Sequence, residues 1–535
     1  MERKKDILTD HRFLYMTEFF SGMSVMAVEL GASRLLAPYF SSSQIVWTII
    51  IGTIMIAMAL GNVLGGKWAD QNPDPDKLYR RILAAAIWIA AIPWLGRYLI
   101  LAISGAVILT VNEWYLVWAA LAACLVIFVF PLFLLGTVTP SLARYTMRSL
   151  DDSGRIVGTL GACNTIGSII GTFLPTFVTI PSVGTAATFL IFAGILLVLC
   201  FVYFIHVHRS LKRCALSAGI FVLCTCLGTN ASFAFWEDDL TYEGESIYNY
   251  LQVKESPDHT VLSTNVLFGV QSVYMKSESL TGMYYDYAMA APLMSGVNEV
   301  KDEKMLILGM GTGTYAKQCR RFMDIQDISG VEIDQKITDL SKKYFEAEED
   351  IPVVTYDGRA YLNAVKEKYD VIMVDAYQDI SIPFQMSSTE FFQEVKDHLN
   401  QGGVMAVNMN MRNAGKNGIN QYLSDTIASV FHHVETADVT GNTNRILFAS
   451  DGNMNENLKA HFAGMQDGSF KDMMRQVDQN LATYEGGSHI MSDDRAPVEV
   501  LGMRAIDDII RDEVDYYKDI YHREGLQGLL DSVQA

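Results

Sequence analysis

The run Lys304-Met-Leu-Ile-Leu-Gly-Met-Gly-Thr-Gly-Thr314 decides the fold of the C-terminal half of this chain. It predicts a short apolar strand, a glycine loop and the start of a helix, in that order. The glycines let the backbone approach a ligand closely and let the helix pack tightly on the strand. A glycine loop alone is a weak signal, so its meaning depends on the segments that follow it.

After this run, short strands alternate with helical stretches. The rhythm predicts βαβ units and a mainly parallel, doubly wound, Rossmann-like sheet of the class I methyltransferase type. Before it, β-type runs at 248–254 and 266–275 suggest a small antiparallel sheet. The main strands are predicted at 304–308, 327–331, 353–356, 369–375, 403–408, 434–437 and 445–449.

Three candidate ligand positions fall at the carboxyl ends of the first three main strands, where such sheets bind ligands. The glycine loop follows the first strand. Glu332 ends the second, where an acidic side chain takes both ribose hydroxyls. Asp357 follows the third, where a carboxylate accepts from an adenine amino group. Glycine turns and solvated carboxylates are the alternative, but the joint spacing favours a nucleoside site. Its predicted residues are Gly309, Gly311, Thr312, Gly313, Glu332, Asp357 and Gly358.

The residues of the glycine loop also indicate which type of nucleotide it binds. No Gly-Lys-[Ser/Thr] follows it, which disfavours a phosphate-binding P-loop. Tyr315 or Ala316 occupies the region where a dinucleotide site has its third glycine. Adenosine without pyrophosphate, as in S-adenosylmethionine or its decarboxylated form, fits the loop better.

The first 236 residues differ from the rest in charge. They carry 16 Lys/Arg against 11 Asp/Glu, a net charge of +5, and because the whole chain is −19 the remainder carries −24. An acidic C-terminal half argues against nucleic-acid binding, since phosphate contacts require a basic face. Six of the seven cysteines precede Trp236, in no pattern typical of a disulfide framework or a metal site.

About seven stretches before Trp236 are long and apolar enough to cross a bilayer as helix, which takes roughly 20 residues. They predict a multi-pass protein of the cell (inner) membrane, and the basic N-terminus shows no signal-peptide cleavage site. Arg97 suggests that the third helix is broken or interfacial. The stretches are 13–39, 45–65, 82–101, 115–136, 157–180, 187–205 and 215–235.

The side of the membrane on which the acidic half lies stays open. Lys and Arg cluster in alternate loops, as the positive-inside rule expects. An odd number of spans then puts the acidic half outside, whereas a cytosolic nucleotide cofactor favours the inside. Either one span is miscounted or the last stretch does not cross.

The first span contains two carboxylates, Glu18 and Glu29, which lie about three helical turns apart and so share one face. Intramembrane charges are costly, and these could bind a cationic amine or take up protons. Alternatively, one lies at the interface and the other pairs with Arg34 or a loop. The segment 61–70 looks like a loop of major-facilitator transporters, although close helix packing explains its small residues equally well.

The motifs taken in order resemble the spermidine-synthase family, specifically the bacterial proteins with a membrane domain fused ahead of the enzyme. The resemblance implies a transmembrane domain at 1–236, a small β domain at 237–300 and a Rossmann-like catalytic domain at 301–535. A final segment, 492–499, looks like a closing motif of the fused proteins. The other matching segments are 246–253, 269–272, 284–293, 309–313, 330–334, 357–359 and 374–377.

This resemblance implies a metal-free, dimeric enzyme that transfers an aminopropyl group from decarboxylated S-adenosylmethionine to a polyamine such as putrescine. The nucleophile must be a neutral amine, so a carboxylate must hold the cationic substrate and accept its proton. Asp375 matches the family's catalytic aspartate, and Gln271 would help to hold the cofactor. The residues assigned to the amine are Tyr248, Tyr284, Tyr285, Asp286, Tyr377, Gln378 and Asp379.

Two positions depart from the family pattern. Thr312 replaces the loop aspartate that holds the amine of the aminopropyl group, a charge-assisted hydrogen bond worth about 1.5–3 kcal/mol. Gln378 replaces the second aspartate of a D-x-x-D motif, and Asp379 comes one position late. Two alternatives therefore stay open. One is a transferase that uses S-adenosylmethionine itself, for methyl or aminocarboxypropyl transfer; the other is a polyamine transporter or sensor whose soluble domain is regulatory.

Overall fold

A computed structural model describes residues 11–111, 113–147, 153–208, 210–229, 232–237, 239–266, 270–377, 382–409 and 417–534. Two of the predicted site residues, Gln378 and Asp379, lie outside these ranges. The chain divides into two compact units. The helical unit comprises Met1–Asp238 and Gly244–Tyr250, and the α/β unit comprises Asp239–Glu243 and Leu251–Ala535.

The helical unit is built of long apolar helices joined by short connections. A π-helical turn, Pro175–Thr179, joins the seventh helix to the eighth. The helices are α1 (His11–Phe40), α2 (Gln44–Gln71), α3 (Pro75–Thr110), α4 (Tyr115–Ile127), α5 (Val129–Gly136), α6 (Val138–Thr146), α7 (Ser153–Leu174), α8 (Ile180–His208) and α9 (Leu211–Gly228).

Among the described residues, five helical segments are long and apolar enough to cross a membrane, or six if the pair Tyr115–Ile127 and Val129–Thr146, bent by 49°, is one span. One of the five is Ser153–Val207, whose 55 residues would measure about 80 Å as one straight helix. Gly184 interrupts it with a non-helical φ of 82° and ψ of 170°. The predicted stretches 157–180 and 187–205 lie on either side of this glycine.

The last predicted stretch, 215–235, was too long. Helix α9 ends at Gly228, and residues 233–236 form a turn. The helix observed in this region is Leu211–Gly228, which has 18 residues. Its length of about 27 Å is close to the thickness of a bilayer's hydrocarbon core.

The third helix was predicted to be broken or interfacial near Arg97, and this is wrong for its backbone, because α3 continues to Thr110. The Arg97 guanidinium is buried and donates to the carbonyl of Ser232 at 2.6 Å and to the hydroxyl of Tyr98 at 3.1 Å. It also lies 5.2 Å from the ring centroid of Phe235. These partners offset the cost of burying a charge.

The segment 61–70 is the C-terminal part of helix α2 and not a loop. A Cβ on Gly61 would meet the carbonyl oxygen of Phe133, and one on Gly65 would lie 2.6 Å from Cα of Thr137. Close helix packing therefore accounts for both glycines. On the other faces of α2, apolar side chains such as Met55 and Ile56 are exposed, as expected of helices that face lipid.

The α/β unit is centred on an eight-stranded sheet of order β12-β10-β11-β9-β8-β5-β6-β7. Strands β9, β8, β5, β6 and β7 run parallel, whereas β11, β10 and β12 extend the sheet antiparallel from β9. The prediction of a mainly parallel Rossmann-like sheet is confirmed. The strands are β5 (Lys304–Leu308), β6 (Asp327–Glu332), β7 (Val353–Thr355), β8 (Tyr369–Val374), β9 (Leu399–Met409), β10 (His433–Asp438), β11 (Arg445–Ser450) and β12 (Leu481–Thr483).

Helices connect most of the strands of the large sheet and pack against it. The last one contains a break at Gly525, whose φ is 70°. The helices of this unit are α10 (Tyr284–Ala288), α11 (Ala290–Met294), α12 (Thr314–Met323), α13 (Gln335–Tyr344), α14 (Gly358–Ala364), α15 (Thr389–Asp397), α16 (Ile419–Ala428), α17 (Met454–Gly464), α18 (Ser469–Asn480) and α19 (Val498–Gln534).

A second, four-stranded sheet precedes the large one, with strands β1 (Leu240–Glu245), β2 (Tyr250–Glu255), β3 (His259–Ser263) and β4 (Ser272–Met275) in that order. The predicted run 266–275 was too long, since its strand begins only at Ser272. Strands β2, β3 and β4 pair antiparallel. Leu251, Val253, Leu262 and Tyr274 pack with Ile337, Leu340 and Phe345, so this sheet is fixed to α13.

Candidate active site

The glycine loop and Asp375 meet because β5 and β8 are neighbouring parallel strands, with Leu308 opposite Val374. The next strand along the chain, β6, lies on the other side of β5, so the loop and Asp375 follow strands at a topological switch point. The amide of Asp375 donates to the carbonyl of Leu308 at 2.8 Å. Gly309 has a φ of 87°, and a Cβ there would lie 2.5 Å from the carbonyl oxygen of Asp375.

Neutral donors hold both oxygens of the Asp375 carboxylate. The hydroxyl of Tyr284 donates to Oδ2 at 2.6 Å, and the side-chain amide nitrogen Nδ2 of Asn408 donates to Oδ1 at 2.9 Å. Asn444 in turn donates to Oδ1 of Asn408 at 2.8 Å. Burial raises the pKa of Asp375 to about 7, although the bonds from Tyr284 and Asn408 lower it. A carboxylate with this pKa can exchange a proton near neutral pH.

Two tyrosines of helix α10 form the wall beside this carboxylate. The ring centroids of Tyr284 and Tyr285 are 4.0 Å apart, and the hydroxyl of Tyr285 donates to the carbonyl of Gln271 at 3.1 Å. Burial raises the pKa of both tyrosines, so both stay neutral. The structure therefore brings Tyr284, Tyr285 and the backbone of Gln271 together with Asp375.

Glu332 connects the second strand end to the glycine loop. Its Oε2 accepts from the amide of Gly311 at 2.8 Å, and its Oε1 accepts from the amide of Asp334 at 3.0 Å. Burial raises its pKa. Each carboxylate oxygen has two lone pairs, so the group still has capacity to accept from hydroxyls. That it takes both ribose hydroxyls stays a prediction.

Asp357 is the N-cap of helix α14, and its Oδ1 accepts from the amide of Ala360 at 2.9 Å. The cap fixes the carboxylate at the start of the helix and uses one of its oxygens. Gly358 is the first residue of this helix, and a Cβ there would lie 3.4 Å from Cε of Met386. The role of Asp357 toward adenine stays a prediction.

Three of the other assigned side chains are engaged with nearby protein groups. The buried carboxylate of Asp286 accepts from the amide and hydroxyl of Thr281 and from the amide of Gly282, so it stabilises a turn. The hydroxyl of Tyr377 is buried and donates to the carbonyl of Met386 at 3.0 Å. The Oγ1 atoms of Thr312 and Thr314 are 3.3 Å apart.

That Tyr248, Asp286 and Tyr377 contact the amine stays a prediction. Tyr248 is 43% exposed and belongs to the helical unit. The carboxylate of Asp286 and the hydroxyl of Tyr377 both bond to local protein groups.

Sequence reasoning missed Asn408 and Asn444. Asn408 ends the predicted strand 403–408, at the same edge of the sheet as Asp375, and this position was a usable signal. Asn444 precedes β11, whose antiparallel pairing with β9 was not predicted. Its contact with Asn408 depends on that pairing.

Comparisons with known proteins show which family the chain is similar to. Residues 283–442 match a family model described as the spermine/spermidine synthase domain. A "probable polyamine aminopropyl transferase" of Bifidobacterium longum (strain NCC 2705) is 52% identical over 360 residues, which cover 62% of this chain and 78% of the relative. A polyamine aminopropyltransferase of Vibrio vulnificus (strain CMCP6) is 27% identical over 194 residues, which cover 35% of this chain and 64% of that relative.

Among solved structures, a probable spermidine synthase from Corynebacterium glutamicum ATCC 13032 aligns with a TM-score of 0.36 at 17% identity, covering 47% of this chain and 98% of that one. The sequence relationship to the Bifidobacterium longum protein is the stronger finding, because identity above one half extends over most of the relative. With the synthase domain within it, the chain belongs to the polyamine aminopropyltransferase family.

Proposed function

We propose that this chain is a membrane-anchored aminopropyltransferase that uses decarboxylated S-adenosylmethionine and a polyamine, with Asp375 as the general base. The single observation that carries the proposal is the buried Asp375 carboxylate beside the glycine loop, with a pKa of about 7. A base with this pKa is suited to removing the proton from an ammonium group at neutral pH.

Decarboxylated S-adenosylmethionine supplies a carbon bonded to a sulfonium and, as leaving group, the thioether methylthioadenosine. Asp375 accepts the proton of the substrate ammonium, and the freed nitrogen lone pair forms the new C–N bond as the C–S bond breaks. Tyr284 and Asn408 keep the carboxylate aimed during this step, because each binds one of its oxygens. The faces of Tyr284 and Tyr285 suit the cationic amine before it loses its proton.

The nucleoside end is proposed to lie against the glycine loop, Glu332 and Asp357. The two carboxylates suit this ligand, since their oxygens have lone pairs that accept from hydroxyl and amino groups. The loop also approaches its neighbours closely, and a Cβ on Gly311 would lie 3.0 Å from Oγ of Ser272. Gln271, whose carbonyl accepts from Tyr285, is proposed to contact the same nucleoside.

The test is to incubate the purified full chain with decarboxylated S-adenosylmethionine and putrescine, and to measure methylthioadenosine. We expect product from the wild type and about 10²–10⁴-fold slower formation by Asp375→Asn. Other amines, including spermidine, are tried in parallel. A wild type that binds the nucleoside but yields no product with any amine would overturn the proposal.

Thr312 is the reason for testing S-adenosylmethionine itself as the alternative co-substrate. A neutral side chain in the loop, 3.3 Å from Thr314, leaves no carboxylate there for the aminopropyl ammonium. Titration calorimetry with S-adenosylmethionine and with its decarboxylated form separates the two readings. Tighter binding of the decarboxylated form is expected, and tighter binding of the carboxylated form would favour the other transferase.

The five or six candidate spans support a multi-pass location in the cell membrane. We expect the protein to stay in the membrane pellet after alkaline carbonate extraction, and its release would contradict anchoring. Protease treatment of spheroplasts reports the side on which the α/β unit lies. Family resemblance is the support for a homodimer, which the mass of the detergent-solubilised protein tests.

One observation favours a second candidate function, the binding of cations within the helical unit. Glu18 is fully buried, and its Oε1 accepts from the hydroxyl of Thr139 at 2.5 Å and the amide of Asn164 at 2.8 Å. Its Oε2 is buried without a hydrogen-bond partner among the described residues. A buried carboxylate bound on one oxygen only by neutral donors is suited to a proton or an ammonium group.

Uptake of labelled spermidine into vesicles tests this candidate. Glu18→Gln should reduce uptake at least tenfold if the carboxylate carries the cation. Glu29→Gln is the matched comparison, because Glu29 is half-buried on the same helix. Equal uptake by the wild type and both variants would remove the candidate.

A further inference from the structure

Residues 492–495, the first half of the closing segment 492–499, form a tight turn whose role the reaction does not explain. The amide of Ser492 donates to the carbonyl of Arg495 at 3.1 Å, and the amide of Arg495 donates to the carbonyl of Ser492 at 2.9 Å. Asp493 lies within this turn. Its carboxylate is directed at Arg359, which follows the proposed adenine-binding segment Asp357-Gly358 directly.

Arg359 has acceptors for all five of its N–H donors. Asp493 accepts from Nη1 at 2.7 Å and from Nη2 at 2.9 Å, which is a bidentate pair. Glu394 accepts from Nε at 3.0 Å and from Nη2 at 2.8 Å, and the carbonyl of Gln385 accepts from Nη1 at 2.9 Å. The guanidinium side chain is only 14% exposed. Bidentate pairs of this kind fix geometry as well as charge.

The turn that carries Asp493 is itself attached to the first residues of helix α15. The hydroxyl of Ser388, the N-cap of that helix, donates to Oδ1 of Asp493 at 2.5 Å. The amide of Asp493 donates to Glu390 at 3.1 Å, and the amide of Thr389 donates to the carbonyl of Met491 at 3.0 Å. Asp493 therefore has a fixed position from which to hold Arg359.

Arg359 is the second residue of helix α14, and Asp357 is that helix's N-cap. The direction of the Asp357 carboxylate depends on where the first helical turn begins, and Arg359 fixes this turn between Glu394 and Asp493. We propose that Asp493 is a positioning residue for the nucleoside: it holds Arg359, so that the carboxylate of Asp357 faces the adenine. This inference rests on the proposed function of Asp357.

Arg359 and Asp493 stabilise each other's charged forms. The guanidinium of Arg359 lowers the pKa of Asp493, and the carboxylates of Asp493 and Glu394 raise the pKa of Arg359. Both partners are thus ionised at neutral pH. An asparagine at 493 keeps the shape of the side chain while it removes the charge and one of the two acceptors.

The test uses the full chain and compares Asp493→Asn with Asp472→Asn. Asp472 forms an exposed ion pair with Arg475 at 2.5 Å on helix α18, which makes it a matched control. Calorimetry with methylthioadenosine gives the Kd of the nucleoside, and steady-state kinetics give kcat and KM for the co-substrate. Asp493→Asn should raise Kd and KM about tenfold, the scale of one charge-assisted hydrogen bond, with kcat at saturation within twofold of the wild type.

Asp493→Asn could also lower the stability of the protein. A double-mutant cycle with Arg359→Lys then still shows whether Asp493 acts on nucleoside binding through Arg359. Lysine cannot form the bidentate pair, so adding Asp493→Asn to Arg359→Lys should raise Kd less than twofold further. Wild-type Kd and KM in Asp493→Asn, or a fall in kcat alone, would overturn the inference. A wild type that binds methylthioadenosine but makes no product would overturn the proposed function and leave this inference standing.

Discussion

The hydroxyl of Tyr284 donates a 2.6 Å hydrogen bond to Oδ2 of Asp375, and this bond joins helix α10 to the end of strand β8. Asn408 binds the other oxygen at 2.9 Å. The carboxylate is thus held in one orientation at a place where burial raises its pKa to about 7. The pH behaviour of the enzyme follows from these contacts.

Activity is expected to rise with pH and to level off above the pKa of Asp375, because only the ionised carboxylate accepts a proton. With a pKa of about 7, the steepest part of the kcat profile lies near neutrality. Asp375→Asn should lower kcat by about 10²–10⁴-fold at pH 8. The release of methylthioadenosine between pH 5.5 and 9 measures both effects, and a flat wild-type profile would contradict them.

Tyr284→Phe should move this profile to higher pH. The bond from Tyr284 lowers the pKa of Asp375, and its removal therefore raises that pKa above about 7. A hydrogen bond to a charged group is worth about 1.5–3 kcal/mol, which corresponds to a shift of about 1–2 pH units. Tyr516→Phe, at an exposed tyrosine of α19, is the control and should leave the profile unchanged. An unshifted profile in Tyr284→Phe would speak against the assignment of Asp375 as base.

Stability should depend on pH through the same carboxylate. Its pKa rises from 3.8 in the unfolded chain to about 7 in the folded one, so the folded state binds the proton more tightly. The resulting stabilisation is complete below about pH 3.8 and is lost as pH rises through 7. Asp375→Asn lacks this loss, and its Tm relative to the wild type should increase from pH 5 to pH 8. A constant difference in Tm would show that the carboxylate is not buried as described.

Gly309→Ala should destabilise the α/β unit more than Gly441→Ala. Both glycines have positive φ, 87° and 75°, so both variants carry a similar backbone strain of about 1–3 kcal/mol. Only at Gly309 does the added Cβ lie 2.5 Å from the carbonyl oxygen of Asp375, whereas nothing lies within 4 Å at Gly441. Thermal unfolding of both variants gives the comparison. Equal losses in Tm would mean that the loop can move away from Asp375.

The sequence predicted the main sheet well, because its strands are short apolar runs that end at polar or glycine residues. The glycine loop, Glu332 and Asp375 stand at those ends, and parallel strands bring their carboxyl ends to one edge. What a side chain does at that edge could not be predicted in the same way. The bonds of Asp286 on helix α10 are an example, since its carboxylate accepts from three donors of Thr281 and Gly282. Such local bonds depend on the turn's backbone, which hydropathy and spacing do not define.

The helical unit shows a similar limit. Apolar length located its helices and separated 157–180 from 187–205 around Gly184, but it did not show that the last helix, α9, ends at Gly228. The partners of Glu18 are another case. Thr139 and Asn164 belong to α6 and α7, and their contact with α1 comes from helix packing. The sequence alone suggested only that one of Glu18 and Glu29 pairs with Arg34 or a loop.

The close approach of Gly309 to the backbone of Asp375 helps to distinguish active enzymes from inactive relatives of the same fold. The atoms that Gly309 faces belong to the backbone of Asp375, which every amino acid possesses. No replacement at 375 can therefore make room for a side chain at 309. A descendant that had lost its aspartate, and the reaction with it, would still need the glycine to fold. Presence of the glycine identifies the architecture, and the residue at 375 separates working enzymes from inactive copies.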